Sequence, residues 1–100
     1  IGQRAEAIRV VREVNMALGP VNILVNNAAE QHAVEDVTEI PEAQLRRTFD
    51  TNLFAQVFLV QQVLPGMSRG DAIINITSVT AFRGQDLLID YASSKGGVLG

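Results

Sequence analysis

The chain has 100 residues, 47% of them apolar and 19% charged, with a net charge of −3, which describes one small folded domain and not a disordered chain. Its seven Arg and single Lys are scattered, so there is no electrostatic footprint for a nucleic-acid backbone, and the lack of Cys removes a disulfide framework, a thiol nucleophile and a thiolate metal site. No apolar run approaches the roughly 20 residues that span a bilayer, and no leader opens the chain, so a cytoplasmic protein without membrane contact is expected.

Residues 2–18 carry Ala5, Ile8, Val11, Val14 and Leu18 at intervals of three and four with charges between them, the pattern of an amphipathic helix. Gly19-Pro20 stops it. Val21-Asn22-Ile23-Leu24-Val25 follows, a nearly continuous apolar run that predicts a strand buried on both faces, as in a parallel sheet. It ends in Asn26-Asn27-Ala28-Ala29, and a polar loop without a clear period comes next. His32, the only histidine, lies in that loop. A metal site needs several convergent ligands, so His32 reads as a loop residue and no metal is expected.

Pro41 suits the first position of a helix and Glu42 its first turn. The predicted helix runs from there through Leu45, Phe49, Asn52, Phe54, Val57, Val60 and Leu64, with a second half apolar almost all round. Such a helix is expected to be buried on more than one side, within a larger domain or beneath a partner subunit. Pro65-Gly66 ends or bends it. Ala72 to Thr77 reads as a second buried strand with Ser78 at its carboxyl end, residues 79–87 as a loop, and a last helix begins near Leu88. Both ends of the chain fall within or next to helical patterns, and a piece of a longer protein is expected.

Helix, strand, helix, strand, helix implies crossover connections and a parallel α/β sheet. Ligands bind such sheets outside the carboxyl ends of the strands, where Asn26-Asn27 and Ser78 are placed. The only Tyr, Tyr91, and the only Lys, Lys95, stand four residues apart on the last helix, one turn apart on one face. A phenol is a reluctant acid at neutral pH, near ~10 when free, and a neighbouring ammonium favours the phenolate, which makes the pair a candidate for proton transfer. Taken singly, each of these residues has an ordinary structural explanation: a packed aromatic, a turn serine, a mid-helix asparagine.

Taken together, in order, they resemble the middle of a short-chain dehydrogenase/reductase. Asn26-Asn27-Ala28-Ala29 is similar to the Asn-Asn-Ala-Gly turn of that family. Asn52 within Asp50-Thr51-Asn52-Leu53-Phe54 resembles its helix asparagine, Ser78 after Ile74-Asn75-Ile76-Thr77 its catalytic serine, and Tyr91-Ala92-Ser93-Ser94-Lys95 its Tyr-x3-Lys motif. The stretches Ala29–His32 and Thr77–Gly84 also resemble a bacterial general-stress branch of the family.

The resemblance implies the central portion of a Rossmann-like, doubly wound parallel sheet within a single nucleotide-binding domain. The first strand with its Gly-rich turn and the loop that closes over substrate would lie outside these residues. It implies an NAD- or NADP-dependent oxidoreductase acting on a small alcohol or ketone. Tyr91 would be the general acid/base, and Lys95 would assist it and hydrogen-bond the nicotinamide ribose. Ser78 would hold the substrate oxygen, and Asn52 would hold a water beside Lys95. Asn26, Ala28 and Ala29 would lie along the cofactor. Ala29 departs from the family's Gly and is tolerable there only with a negative φ. The long apolar helix implies a homo-oligomer, a dimer or tetramer. Two other readings stand beside this one: a catalytically silent relative with the same fold, and a flavodoxin-type module in which the Tyr-Lys pair is a coincidence.

Overall fold

The computed structural model describes residues 2–100. Helix α1 (Arg4–Leu18) leads to strand β1 (Ile23–Asn26). A long connection follows, holding a 3-10 turn at Val37–Glu39 that Asp36 caps by accepting from the Thr38 amide at 2.8 Å. Helix α2 (Glu42–Phe49) then runs through a π-helical turn (Asp50–Phe54) into α3 (Ala55–Val63). Strand β2 (Ala72–Asn75), the short helix α4 (Thr80–Arg83) and α5 (Ile89–Leu99) complete the order.

β1 and β2 pair in parallel, with Leu24 opposite Ile73, Val25 opposite Ile74 and Asn26 opposite Asn75. Hydrogen bonds extend the pairing one step each way, Ala72 N–H to the Asn22 carbonyl and Ile76 N–H to the Asn26 carbonyl, both at 3.0 Å. The alternation of helix and strand and the parallel pairing are as the sequence predicts. Three local expectations are corrected. Pro41 caps the helix from outside it, with ψ 142°, and Glu42 is the first helical residue. Within 79–87, Thr80–Arg83 forms a single helical turn, closed by the Gly84 amide on the Thr80 carbonyl at 2.8 Å. Gly84 ends it at φ 72°, a conformation that a side chain would strain. The strands, expected to be buried on both faces, are not.

That last difference follows from where the helices lie. α1 packs on α3, and α3 on β1. Side chains alternate across a strand, so Leu24 and Ile73 share one face and Val25 and Ile74 the other. Val25 and Ile74 remain 52% and 46% exposed, because nothing among the described residues covers them. The second half of the long helix likewise keeps Phe54 and Val57 exposed.

The buried apolar set is small: Ala7, Val11, Ala55, Val63 and Ala92. The largest fully buried side chains are polar: Lys95, Asn52, Thr48, Asp90 and Ser94. Buried polar groups are the informative ones in a fold. α5 can approach the π-turn closely because Gly97 has no side chain. A Cβ there would come within 2.8 Å of Leu53 Cδ2.

Candidate active site

The carboxyl end of β2 is stitched directly to α5. Lys95 is 1% exposed, and its Nζ donates to the Ile76 carbonyl at 2.9 Å. Thr77 Oγ1 returns a bond to the Lys95 carbonyl at 2.7 Å. Two bonds between the two residues that follow β2 and one helix residue fix where the next residue, Ser78, stands relative to α5. Ser78 Oγ accepts from the Thr80 hydroxyl at 3.1 Å and the Thr80 amide at 3.3 Å, so α4 holds the serine that β2 delivers.

Tyr91 is half-buried and lines a shallow cavity of about 170 Å³ with Ala29, Glu30 and Gln31. Lys95 Nζ lies 5.9 Å from the centre of the Tyr91 ring. The spacing of four does place the two side chains together, with the ammonium directed at the strand end. Burial pushes the Lys95 ammonium below the ordinary lysine range, because leaving water disfavours the charged form. An ammonium has three donors. One is spent on Ile76, which leaves two for a ligand hydroxyl.

Asn52 is wholly buried. The π-turn gives the helix one extra residue locally and carries Asn52 at its middle. Its Oδ1 accepts from the Glu30 amide at 2.8 Å, and its Nδ2 donates to the Glu30 carbonyl at 2.9 Å and to Ser94 Oγ at 3.0 Å. Ser94 passes the connection on, donating to the Tyr91 carbonyl at 2.7 Å. One side chain thereby fixes the turn after β1 and the helix bearing Tyr91. Both Nδ2 donors are used, so the relay-water role expected for Asn52 has only an Oδ1 lone pair to rest on.

Asn26 is 3% exposed and donates from Nδ2 to Asn75 Oδ1 at 2.8 Å across the strand pair. Its Oδ1 is buried without a partner. Ala28 joins Asn26, Asn27, Thr51 and Gln56 around a second cavity of about 150 Å³. Ala29 has a negative φ, as does every described residue other than glycine, so its methyl group is accommodated without strain. These features suit a cofactor lying along the strand ends: small residues that permit close approach, a buried acceptor without a partner, and an ammonium with free donors.

Sequence reasoning missed Ser94, Glu30, Thr48, Gln44 and Asp90 as parts of this arrangement. Asp90 is 2% exposed, and its Oδ2 accepts from Thr48 Oγ1 at 2.7 Å and Gln44 Nε2 at 3.2 Å. Burial works against the charged carboxylate. The Thr48 and Gln44 donors, helped by the main-chain amides of Tyr91 and Asp90, outweigh it and hold the acid below the usual aspartate range. Ser94 and Asp90 had a local signal, three residues after Tyr91 and one before it. A larger cavity, about 500 Å³, is not lined by the tyrosine and lies among Leu45, Arg46, Phe49, Phe54 and Ser93. Chemistry outranks volume here, since that cavity holds none of the predicted site residues. No cluster of metal-ligating side chains occurs among the described residues, and no described helix is long and apolar enough to cross a membrane.

Similarity to known proteins agrees with this arrangement. The family described as short chain dehydrogenase matches residues 1–100. The chain is 45% identical over 91 residues to the chloroplastic NADPH-dependent aldehyde reductase 1 of Arabidopsis thaliana, covering 91% of this chain and 32% of that protein. It is 39% identical over 98 residues to general stress protein 39 of Bacillus subtilis, covering 98% and 34%, in keeping with the general-stress resemblance. A crystal structure of a blue fluorescent protein from a metagenomic library, in complex with NADPH, superposes with a TM-score of 0.92 at 34% identity, over 99% of this chain and 40% of that one. The chain thus spans about a third of the length of the curated relatives it matches. With its parallel strand pair, its helix packing and a family match along its whole length, the chain is a Rossmann-like α/β segment that belongs to the short-chain dehydrogenase family.

Proposed function

We propose that the full-length protein is an NAD(P)-dependent oxidoreductase that moves hydride between a nicotinamide cofactor and a small alcohol or carbonyl compound, with Tyr91 as general acid/base. The observation that carries this reading is the placement of Tyr91: a phenol at a cavity mouth, beside a buried ammonium, on a helix stitched to a strand end. The nicotinamide, when bound, supplies the hydride chemistry.

In reduction, the Tyr91 hydroxyl gives its proton to the carbonyl oxygen as negative charge builds there. In oxidation it takes the proton from the substrate hydroxyl. Lys95 sets a positive charge beside the ring that carries the developing phenolate. Its two remaining donors suit ribose hydroxyls. Ser78 has its own proton to offer to the substrate oxygen, because its Oγ can accept from the Thr80 amide while its O–H donates elsewhere. Asn26, Ala28 and Ala29 would flank the cofactor. The names of the aldehyde reductase and of the NADPH-bound structure support NADPH over NADH.

Homo-oligomeric assembly belongs to the same reading. Leu45 and Phe54, both more than 40% exposed, line the 500 Å³ cleft together with Phe49, and apolar helical surface of that kind is covered in stable proteins. Sedimentation of the full-length protein tests this, and a clean monomer would remove it.

The decisive test of the chemistry is Tyr91→Phe. Turnover of aldehydes, ketones and alcohols should fall by about 10²–10⁴-fold, the range of general acid–base contributions, while NADPH affinity, read by fluorescence titration, stays within about threefold, under 1 kcal/mol. Near-normal turnover by that variant would sink the mechanism. Cofactor binding without turnover of any of these compounds by the unaltered protein would favour a silent nucleotide-binding relative, and absence of both a scaffold with the same fold.

A further inference from the structure

Asp90 immediately precedes Tyr91, and its surroundings form a socket rather than a simple pair. Thr48 and Gln44 both donate to Oδ2, and Asp90 lies in the first turn of α5. Each of these contacts on the carboxylate is a donor. A carboxylate is acceptor-only, and the first turn of a helix favours an anion. An amide in its place would aim an NH₂ group at other donors.

The socket also reaches the opposite wall of the cavity beside Tyr91. Gln44 Nε2, while bonded to Asp90, donates to the His32 carbonyl at 3.4 Å. His32 follows Glu30 and Gln31, which line that cavity. α2 is therefore tied to both walls, to α5 through Thr48 and Gln44 and to the turn after β1 through Gln44. Asn52 makes a parallel tie between the same two walls from the π-turn. The structure contains two independent struts across one cavity.

We propose that Asp90, held by Thr48 and Gln44, is a positioning residue for the proton-transfer step: it fixes the start of α5, and hence the placement of the Tyr91 hydroxyl relative to the turn at Ala29–Gln31. The inference rests on Tyr91 acting as the general acid/base. Asp90 does not touch substrate. It acts through the helix it begins, and misplacement by about 1 Å can cost on the order of 100-fold in rate even when the altered residue is remote from the chemistry.

The test uses the full-length enzyme and the pair Thr48→Val and Thr48→Ser, with Asp90→Asn as a second probe. Valine matches threonine in shape and lacks the hydroxyl. Thr48→Val should lower kcat by about tenfold or more with KM for substrate and cofactor within about twofold, a split expected of geometry rather than binding. Thr48→Ser should restore kcat to within about threefold, because the donor returns. Asp90→Asn should lower kcat at least as much as Thr48→Val. Melting temperatures and active-site titration keep these values per folded enzyme. If Thr48→Val and Asp90→Asn lose thermal stability but keep kcat per folded enzyme, the network is structural and the proposal is overturned. If Tyr91→Phe is itself active, the underlying reading has failed. If Tyr91→Phe is inactive while both probes turn over normally, the positioning role alone has failed.

Discussion

The polar end of this molecule and its apolar faces follow opposite rules. At the carboxyl end of the strands, Lys95, Asn52, Thr48, Asp90 and Ser94 are almost completely buried and each is hydrogen-bonded. On the faces, Val25, Ile74, Phe54 and Leu45 stand about half exposed. Stability alone would arrange the chain the other way round, since burying apolar surface is favourable and burying an ammonium is costly. The difference teaches that the buried interior of this segment is built mainly from the polar residues of the proposed site, and that its apolar surface is left free for the contacts that the proposed assembly would make.

The sharpest way to break that comparison is Lys95→Met, which keeps the length and removes the charge. If the buried ammonium serves chemistry, turnover of the full-length enzyme should fall by about 10²–10⁴-fold. The melting temperature should hold or rise, because the cost of burying an ammonium without a counter-charge is removed. A large loss of stability would make Lys95 a structural residue first.

Asn52→Ala probes the same region from the other side. It strands the Glu30 amide and carbonyl and leaves Ser94 without its donor. At about 1–3 kcal/mol for each unsatisfied buried group, partly relieved by water, a loss of about 3 kcal/mol is expected in denaturant unfolding. Val11→Ala gives the apolar counterpart. Val11 is 6% exposed between α1 and α3, and removing two buried carbons with some cavity left behind should cost about 2 kcal/mol. A larger cost at Val11 than at Asn52 would reverse the ranking of the two regions.

Acid supplies a smaller and graded test. Asp90 is held below the usual aspartate range in the folded state, so the unfolded chain takes up that proton first as pH falls. Its contribution to stability is complete above the unfolded value, near ~3.9, and is lost as pH falls through the lower folded value. Lys95, pushed down by burial, has the other consequence. Between its folded pKa and the ordinary value near ~10.4 the unfolded chain holds more protons, so stability rises with pH across that interval. Urea unfolding of Asp90→Ala and Lys95→Met against pH should flatten the acid and alkaline slopes respectively. The smallest effect belongs to Arg47→Ala. The Arg47–Glu30 pair is short, at 2.9 Å, but the Arg side chain is 72% exposed, and exposed pairs contribute about 0–1 kcal/mol.

What could be read in the sequence was what depends on short spacing. The four-residue step from Tyr91 to Lys95, the strand run ending at Ser78 and the Asn26-Asn27 turn all have local signatures. The ties that make a site of them do not. Asn52 meets Ser94, and Thr48 meets Asp90, each across 42 residues, and no periodicity announces a partner at that distance. α4 was hidden for a different reason, because one helical turn is too short to show a period. The exposure of Val25 and Ile74 escaped notice because an apolar strand reads the same whether or not its second face is covered.

The π-turn at Asp50–Phe54 has a consequence for how this stretch tolerates change. An extra residue in a helix acts as a phase shift, since each residue turns the axis by about 100°. Deleting one residue just before Asn52, for instance Thr51, would let the chain close into a regular helix of good local geometry while swinging the asparagine away from Glu30. Single-residue deletions there should leave helical circular dichroism nearly unchanged and abolish the proposed turnover of the full-length protein, whereas conservative substitutions at the exposed Phe54 should be tolerated by the same assay. In this helix the number of residues is as much a part of the message as their identity.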